Sequence, residues 1–84
     1  MVQEIYIIDD DESSILVFNE LFKDDKEYKF ISVKSDMIDV ALKNIPSIII
    51  INEDAIEVDI VDLCKKIRND DDNSITPVIV VSSN

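Results

Sequence analysis

Four consecutive isoleucines, Ile48 to Ile51, stand between Pro46-Ser47 and the polar run Asn52, Glu53, Asp54. Successive residues of a strand point to opposite faces of its sheet, so an unbroken apolar run is stable only where both faces are covered. A sheet wetted on one side would show apolar and polar residues in alternation instead. PVIVVS at 77–82 has the same character, and EIYIID at 4–9 and FISVK at 30–34 supply two more short strands. Between the strands, apolar residues recur at helical spacing: Ile15, Phe18, Leu21 and Phe22; Met37, Ile38, Ala41 and Leu42; Ile60, Leu63, Cys64 and Ile67. Helix-start signals agree, with acids and serines from Asp11 to Ser14, Ser35 before the second helix, and Asp59 as N-cap of the third. The pattern predicts one α/β domain over 1–84, βαβαβαβ in order, with a parallel sheet between helices in a three-layer αβα arrangement.

Such a sheet gathers the C-terminal ends of its strands along one rim, where open α/β sheets place their ligand chemistry. The first strand delivers Asp9, Asp10 and Asp11 there, the third Asn52 with Glu53 and Asp54, and the fourth Ser82 and Ser83. Two carboxylates about 4 Å apart repel by roughly 4 kcal/mol at an effective dielectric near ~20. A divalent cation would offset that repulsion, and a hard-oxygen cluster without His or Cys suits Mg²⁺ or Mn²⁺ rather than zinc. The alternative is that Asp10 and Asp11 open the first helix, where acids favour the positive end of the dipole.

Composition narrows the function. With 19 acidic and 8 basic side chains the net charge is −11, which opposes binding to nucleic acid or to an anionic membrane. No apolar run approaches the roughly 20 residues that cross a bilayer. A single cysteine forms no internal disulfide, and no cationic, apolar leader opens the sequence, so a cytoplasmic protein is expected. The sequence contains no histidine, which removes the commonest general base and leaves Cys64 and the serines without a triad partner. The expectation is therefore a protein that is not an enzyme. Cys64 reads as a buried reduced thiol within a helix stripe, KKIR at 65–68 as cations complementing the helix dipole, and NDDDNS at 69–74 as a solvated loop. Tyr6 and Tyr28 read as packing residues with a wet hydroxyl.

Across its whole length, from IYIIDDDESSILVFNELF through PSIIIINEDAIEVDIVDLCKKIRND to TPVIVVSS, the chain resembles the receiver domain of two-component response regulators. The resemblance implies a flavodoxin-like parallel sheet of CheY type, incomplete here because the last strand and the helices around it are missing. In receivers the first strand ends in an acidic pair, which falls on Asp9 and Asp10. The third strand follows a proline, matching Pro46, and ends in the phosphoacceptor aspartate, whose position is taken by Asn52. The hydroxyl residue that turns toward the phosphoryl group falls on Ser82. Family metal coordination uses the carbonyl two residues after the phosphoacceptor, so Asp54 joins Asp9 and Asp10 as a candidate metal residue.

The departures from the family decide the expected function. An aspartyl phosphate needs a carboxylate nucleophile, and the amide of Asn52 is neutral and poorly nucleophilic. The reading is a receiver-like signalling module, a pseudo-receiver that acts by protein interaction and dimerisation without phosphorylation at position 52. The rival is a phosphorylatable, Mg²⁺-dependent receiver whose aspartate has been replaced by Asn52. A metal-dependent phosphohydrolase on a similar sheet would again lack its nucleophile. With the acceptor carboxylate gone the pocket is one negative charge short, so Mg²⁺ binding is expected to be weak. An incomplete sheet would expose the apolar PVIVV edge, and the chain is expected to form a homodimer through that truncated side. The resemblance adds a sensor histidine kinase or a fused output domain as partners. The sequence also contains no glycine, so any position requiring a positive φ is expected to fall to Asn or Asp or to be remodelled.

Overall fold

A computed structural model describes residues 2–82. In chain order the elements are β1 (Gln3–Ile8), α1 (Ser13–Leu21), β2 (Tyr28–Val33), a 3-10 turn (Ser35–Met37) running into α2 (Ile38–Ala41), and β3 (Ile48–Asn52). A second 3-10 turn (Glu53–Ala55), α3 (Ile60–Asn69), a third 3-10 turn (Asp71–Asn73) and β4 (Val78–Val81) follow. The four strands make one sheet in the order β2-β1-β3-β4, and every neighbouring pair is parallel. This small α/β arrangement is compatible with a flavodoxin-like fold. Its Cα radius of gyration, 12.2 Å, matches the roughly 12 Å expected of a compact chain this long.

The isoleucine run explains the centre of the sheet. β3 pairs on both sides, with β1 and β4, and its Ile49 and Ile51 are fully buried. They join Tyr6, Ile8 and Val33 from the sheet, Ile38 and Leu42 from the α2 segment, and Leu63 and Ile67 from α3 in one apolar cluster. On α3 the apolar stripe works as its spacing predicts: Leu63 and Ile67 enter the core while Ile60 and Cys64 pack at its margin. Asp59 caps this helix, accepting the N–H groups of Val61 and Asp62 at 2.9 and 3.1 Å. Tyr6 is a core residue, buried more deeply than a ring with a wet hydroxyl.

Three expectations about local structure need correction. The first helix has no buried residue, although its stripe suggested a core face. Phe18 stacks on Phe30 of β2 and Phe22 meets the same ring at a tilt, each 5.4 Å between centroids, while Leu16, Val17 and Leu21 remain exposed. A three-and-four stripe reports an apolar side, not how fully the facing elements cover it. The second helix shrinks to four residues, because Ser35–Met37 form a 3-10 turn that leaves Met37 in solvent. The acidic stretch 69–74 is no simple solvated loop: Asn73 is fully buried, donating to the Leu42 carbonyl at 3.1 Å and accepting from the Thr76 hydroxyl at 3.0 Å.

Among the described residues Glu12 alone takes a positive φ, 58°, at the entry to α1. This is neither Asn nor Asp, and the left-handed conformation there costs a residue with a Cβ on the order of 1 kcal/mol. The loop after β3 forms the 3-10 turn Glu53–Ala55 and needs no positive φ. No helix of the described residues is long and apolar enough to cross a membrane.

Candidate functional site

Parallel pairing brings the strand ends to one rim. Asp9 and Asp10 follow directly on β1, Asn52 closes β3, and Ser82 follows Val81, which is registered opposite Asn52. Asp54 lies in the 3-10 turn beyond β3, and Ser83 falls outside the described residues. Asp9 is fully buried, Asp10 and Asn52 are half-buried, and Asp54 and Ser82 are exposed.

A buried carboxylate must be stabilised by charge or by hydrogen bonds. Around Asp9 the stabilisation comes from donors. One oxygen accepts the Asp11 N–H at 2.8 Å; the other accepts the Ser14 N–H at 2.8 Å, the Ser13 hydroxyl at 3.3 Å and a long contact from the Asn52 amide at 3.5 Å. The Ser14 bond makes Asp9 the cap of α1, since Glu12, at the N-cap position, provides no side-chain cap. Neither Asp10 nor Asp11 performs that task. Asp10 instead ties two loops to β1: its carboxylate accepts the Ser35 N–H at 2.6 Å, the Ser35 hydroxyl at 2.7 Å and the Glu57 N–H at 2.8 Å. Its own N–H donates to the Ala55 carbonyl at 2.8 Å.

Asn52 occupies the junction between these groups. Its amide nitrogen donates to the Ser14 hydroxyl at 3.0 Å and points toward Asp9, while its carbonyl oxygen accepts the Asp54 N–H at 3.3 Å. The chemistry requires this orientation, because only the NH₂ end can face a carboxylate. An aspartate at 52 would set a second anion against Asp9 at the same spacing and could donate nothing to Ser14.

The acidities follow from these contacts. For Asp9, burial is the largest single influence and pushes the pKa up, but the bonds from Ser14, Asp11 and Asn52 together outweigh it and hold the group below its ordinary 3.8. Asp10 behaves alike: burial raises its pKa, the Ser35 and Glu57 donors lower it further than that, and the nearby Asp9 charge gives back a part. Both are carboxylates at neutral pH.

The structure brings Asp9, Asp10 and Asn52 together but does not gather Asp9, Asp10 and Asp54 into a cation cage. Among the described residues no group of three or more Asp, Glu, Cys or His side chains is placed to hold a metal ion. Both oxygens of Asp9 and of Asp10 accept protein donors, which stabilise the two anions without a cation. Sequence reading also missed Ser14, Ser35 and the Glu57 amide as members of the site. The available signal was chemical: an acidic pair without nearby cations needs donors, and hydroxyl residues follow both β1 and β2.

Comparison with known protein families, curated proteins and solved structures gives no match.

Proposed function

We propose that the chain is a receiver-like signalling module whose rim is closed by hydrogen bonds, and which acts through protein interaction rather than through phosphoryl transfer. In this reading the sheet and its helices form the three-layer βαβαβαβ part of a receiver, cytoplasmic, without enzymatic activity. The observation that carries it is the Asn52 amide, which donates to Ser14 and faces Asp9 where a phosphoacceptor would need an oxygen anion. A carboxamide nitrogen has its lone pair delocalised into the carbonyl and forms no acyl phosphate. Mg²⁺ is weakly bound at best and is not needed, because the donors from Ser14, Ser35, Asp11 and Glu57 take the place of a cation around the acidic pair. A net charge of −11 leaves nucleic acid and anionic membranes out of the set of partners. Another copy of the chain, a kinase or an output domain remains in it.

The rival reading, a phosphorylatable receiver, draws on the position of Ser82, one residue beyond the Asn52–Val81 register pair. Incubation with a small acyl phosphate and Mg²⁺ separates the two. Intact-protein mass is expected to stay unchanged; gain of one phosphoryl group on Asp54, Asp10 or any rim residue would establish the rival.

A further inference from the structure

Asp10 holds two loops at once. From the stretch 34–36, which leads into α2, its Oδ1 accepts the Ser35 N–H at 2.6 Å and its Oδ2 the Ser35 hydroxyl at 2.7 Å. From the stretch 55–58, which leads into α3, the same Oδ2 accepts the Glu57 N–H at 2.8 Å, and the Asp10 N–H donates to the Ala55 carbonyl at 2.8 Å. Each loop thus shares two bonds with one residue. Among the described residues no hydrogen bond joins 34–36 directly to 55–58. Between them lies a cavity of about 270 Å³, lined by both loops and by Asp10. Asp10 bridges what the cavity separates.

The elements beyond the loops also belong together. α2 and α3 put Ile38, Leu42, Leu63 and Ile67 into one apolar cluster on one face of the sheet, and Lys66 of α3 meets Asp39 of α2 at 3.1 Å. The two loops are the entries to that pair of helices. They differ in anchorage, since Ser35 is buried while Glu57 and Val58 are exposed.

We infer that Asp10 is a conformational latch, through which the entries to α2 and α3 open and close as one unit. The physical basis is the shared carboxylate. Two donors from Ser35, one on each oxygen, fix its orientation, and that orientation is what presents Oδ2 to the Glu57 N–H. Bonds to an ionised acceptor are about twice as strong as neutral ones, so losing the Ser35 grip frees the carboxylate to turn and carries the Glu57 bond with it. A shift of pH near neutrality does not release the latch, because the Asp10 pKa lies below the ordinary 3.8. Displacement of either loop by a partner does. Such coupling gives the interaction-module reading a route from one contact surface to a second; it rests on that reading for this use and on geometry alone for the latch.

Amide hydrogen exchange resolved by NMR at Ser35 and Glu57 tests the inference. Asp10→Asn, which turns a donor toward groups that need an acceptor, should speed exchange at both amides by about 10-fold or more, while the amides of β3 keep their protection. Ser35→Ala leaves Asp10 in place and removes only a hydroxyl from one loop. The latch predicts that exchange at Glu57, in the other loop, then rises by about 3-fold or more. Unchanged exchange at Glu57 in Ser35→Ala would overturn it, and so would slower exchange, the mark of an Oδ2 freed to bond Glu57 more strongly. Asp10→Asn loosening one loop alone would overturn it as well. None of these readouts involves a phosphodonor, so failure of the latch and failure of the proposed function are told apart.

Discussion

Asn52→Asp is expected to destabilise the chain by about 2 to 4 kcal/mol at neutral pH in the presence of a chelator. The substitution removes the donor that reaches Ser14 and places a carboxylate where the amide nitrogen now lies 3.5 Å from Asp9. Coulomb repulsion at about that distance is worth roughly 4 kcal/mol at a dielectric near ~20. Partial solvation of the half-buried position 52 reduces this, and the lost hydrogen bond adds about 1 kcal/mol. A domain of this size has on the order of 5 kcal/mol in all, so the effect should be conspicuous in a urea titration. Divalent cation should return part of the loss in this variant and little in the parent chain, since only the variant presents an uncompensated pair of anions. Equal stability of the two chains in chelator would show that the Asn52 amide is not what balances Asp9.

The second large effect is at Asp9. Asp9→Ala strips the acceptor from the half-buried Ser14 N–H and from the exposed Asp11 N–H and Ser13 hydroxyl, and uncaps α1. Loss of a helix cap costs about 0.5 to 2 kcal/mol and the half-buried Ser14 N–H adds about 1 kcal/mol, so a total of about 2 to 3 kcal/mol is expected, a large part of the stability of a domain this size. The pH dependence carries the same signature. Asp9 and Asp10 have folded-state values below the ordinary 3.8, so their contribution is complete above 3.8 and is lost as the pH falls through the lowered values. In the parent chain stability should therefore decline on the acid side of pH 3.8. Asp9→Asn, which keeps the shape and one acceptor, should fold better than Asp9→Ala and show a shallower acid decline than the parent. An unchanged decline would assign the acid sensitivity to other carboxylates.

How far the sequence reveals this molecule depends on the element. Ile48 to Ile51 announce a strand covered on both sides; β3 does lie between β1 and β4, but Ile49 and Ile51 are fully buried while Ile48 and Ile50 on the other face are only half-buried. On α3 the stripe and the Asp59 cap are both legible, because each depends on local spacing alone. α1 is read correctly as a helix and wrongly as a core helix, since its exposure depends on what lies opposite Val17 and Leu21. At the rim, the meeting of Asp9, Asp10 and Asn52 follows from parallel strand ends. The donors do not follow. The donations from Asp11, Ser14 and Glu57 come from backbone N–H groups, which every residue but proline carries, so no residue type marks them; only the hydroxyls of Ser13 and Ser35 left a trace in the sequence. Ser35 looked like a helix cap and instead anchors Asp10 with both its amide and its hydroxyl. The buried Asn73 was hidden for a related reason: within NDDDNS nothing in composition separates it from its solvated neighbours.

The central claim is that the Asn52 side chain acts as a donor inside a closed hydrogen-bond system. Its side-chain amide protons report on that directly in a ¹⁵N-resolved acid titration followed by NMR. The account predicts two well-separated signals at neutral pH, at least one protected from exchange, that move together with the ionisation of Asp9 below pH 3.8. A pair of signals at free-amide positions, exchanging freely and indifferent to Asp9, would contradict it.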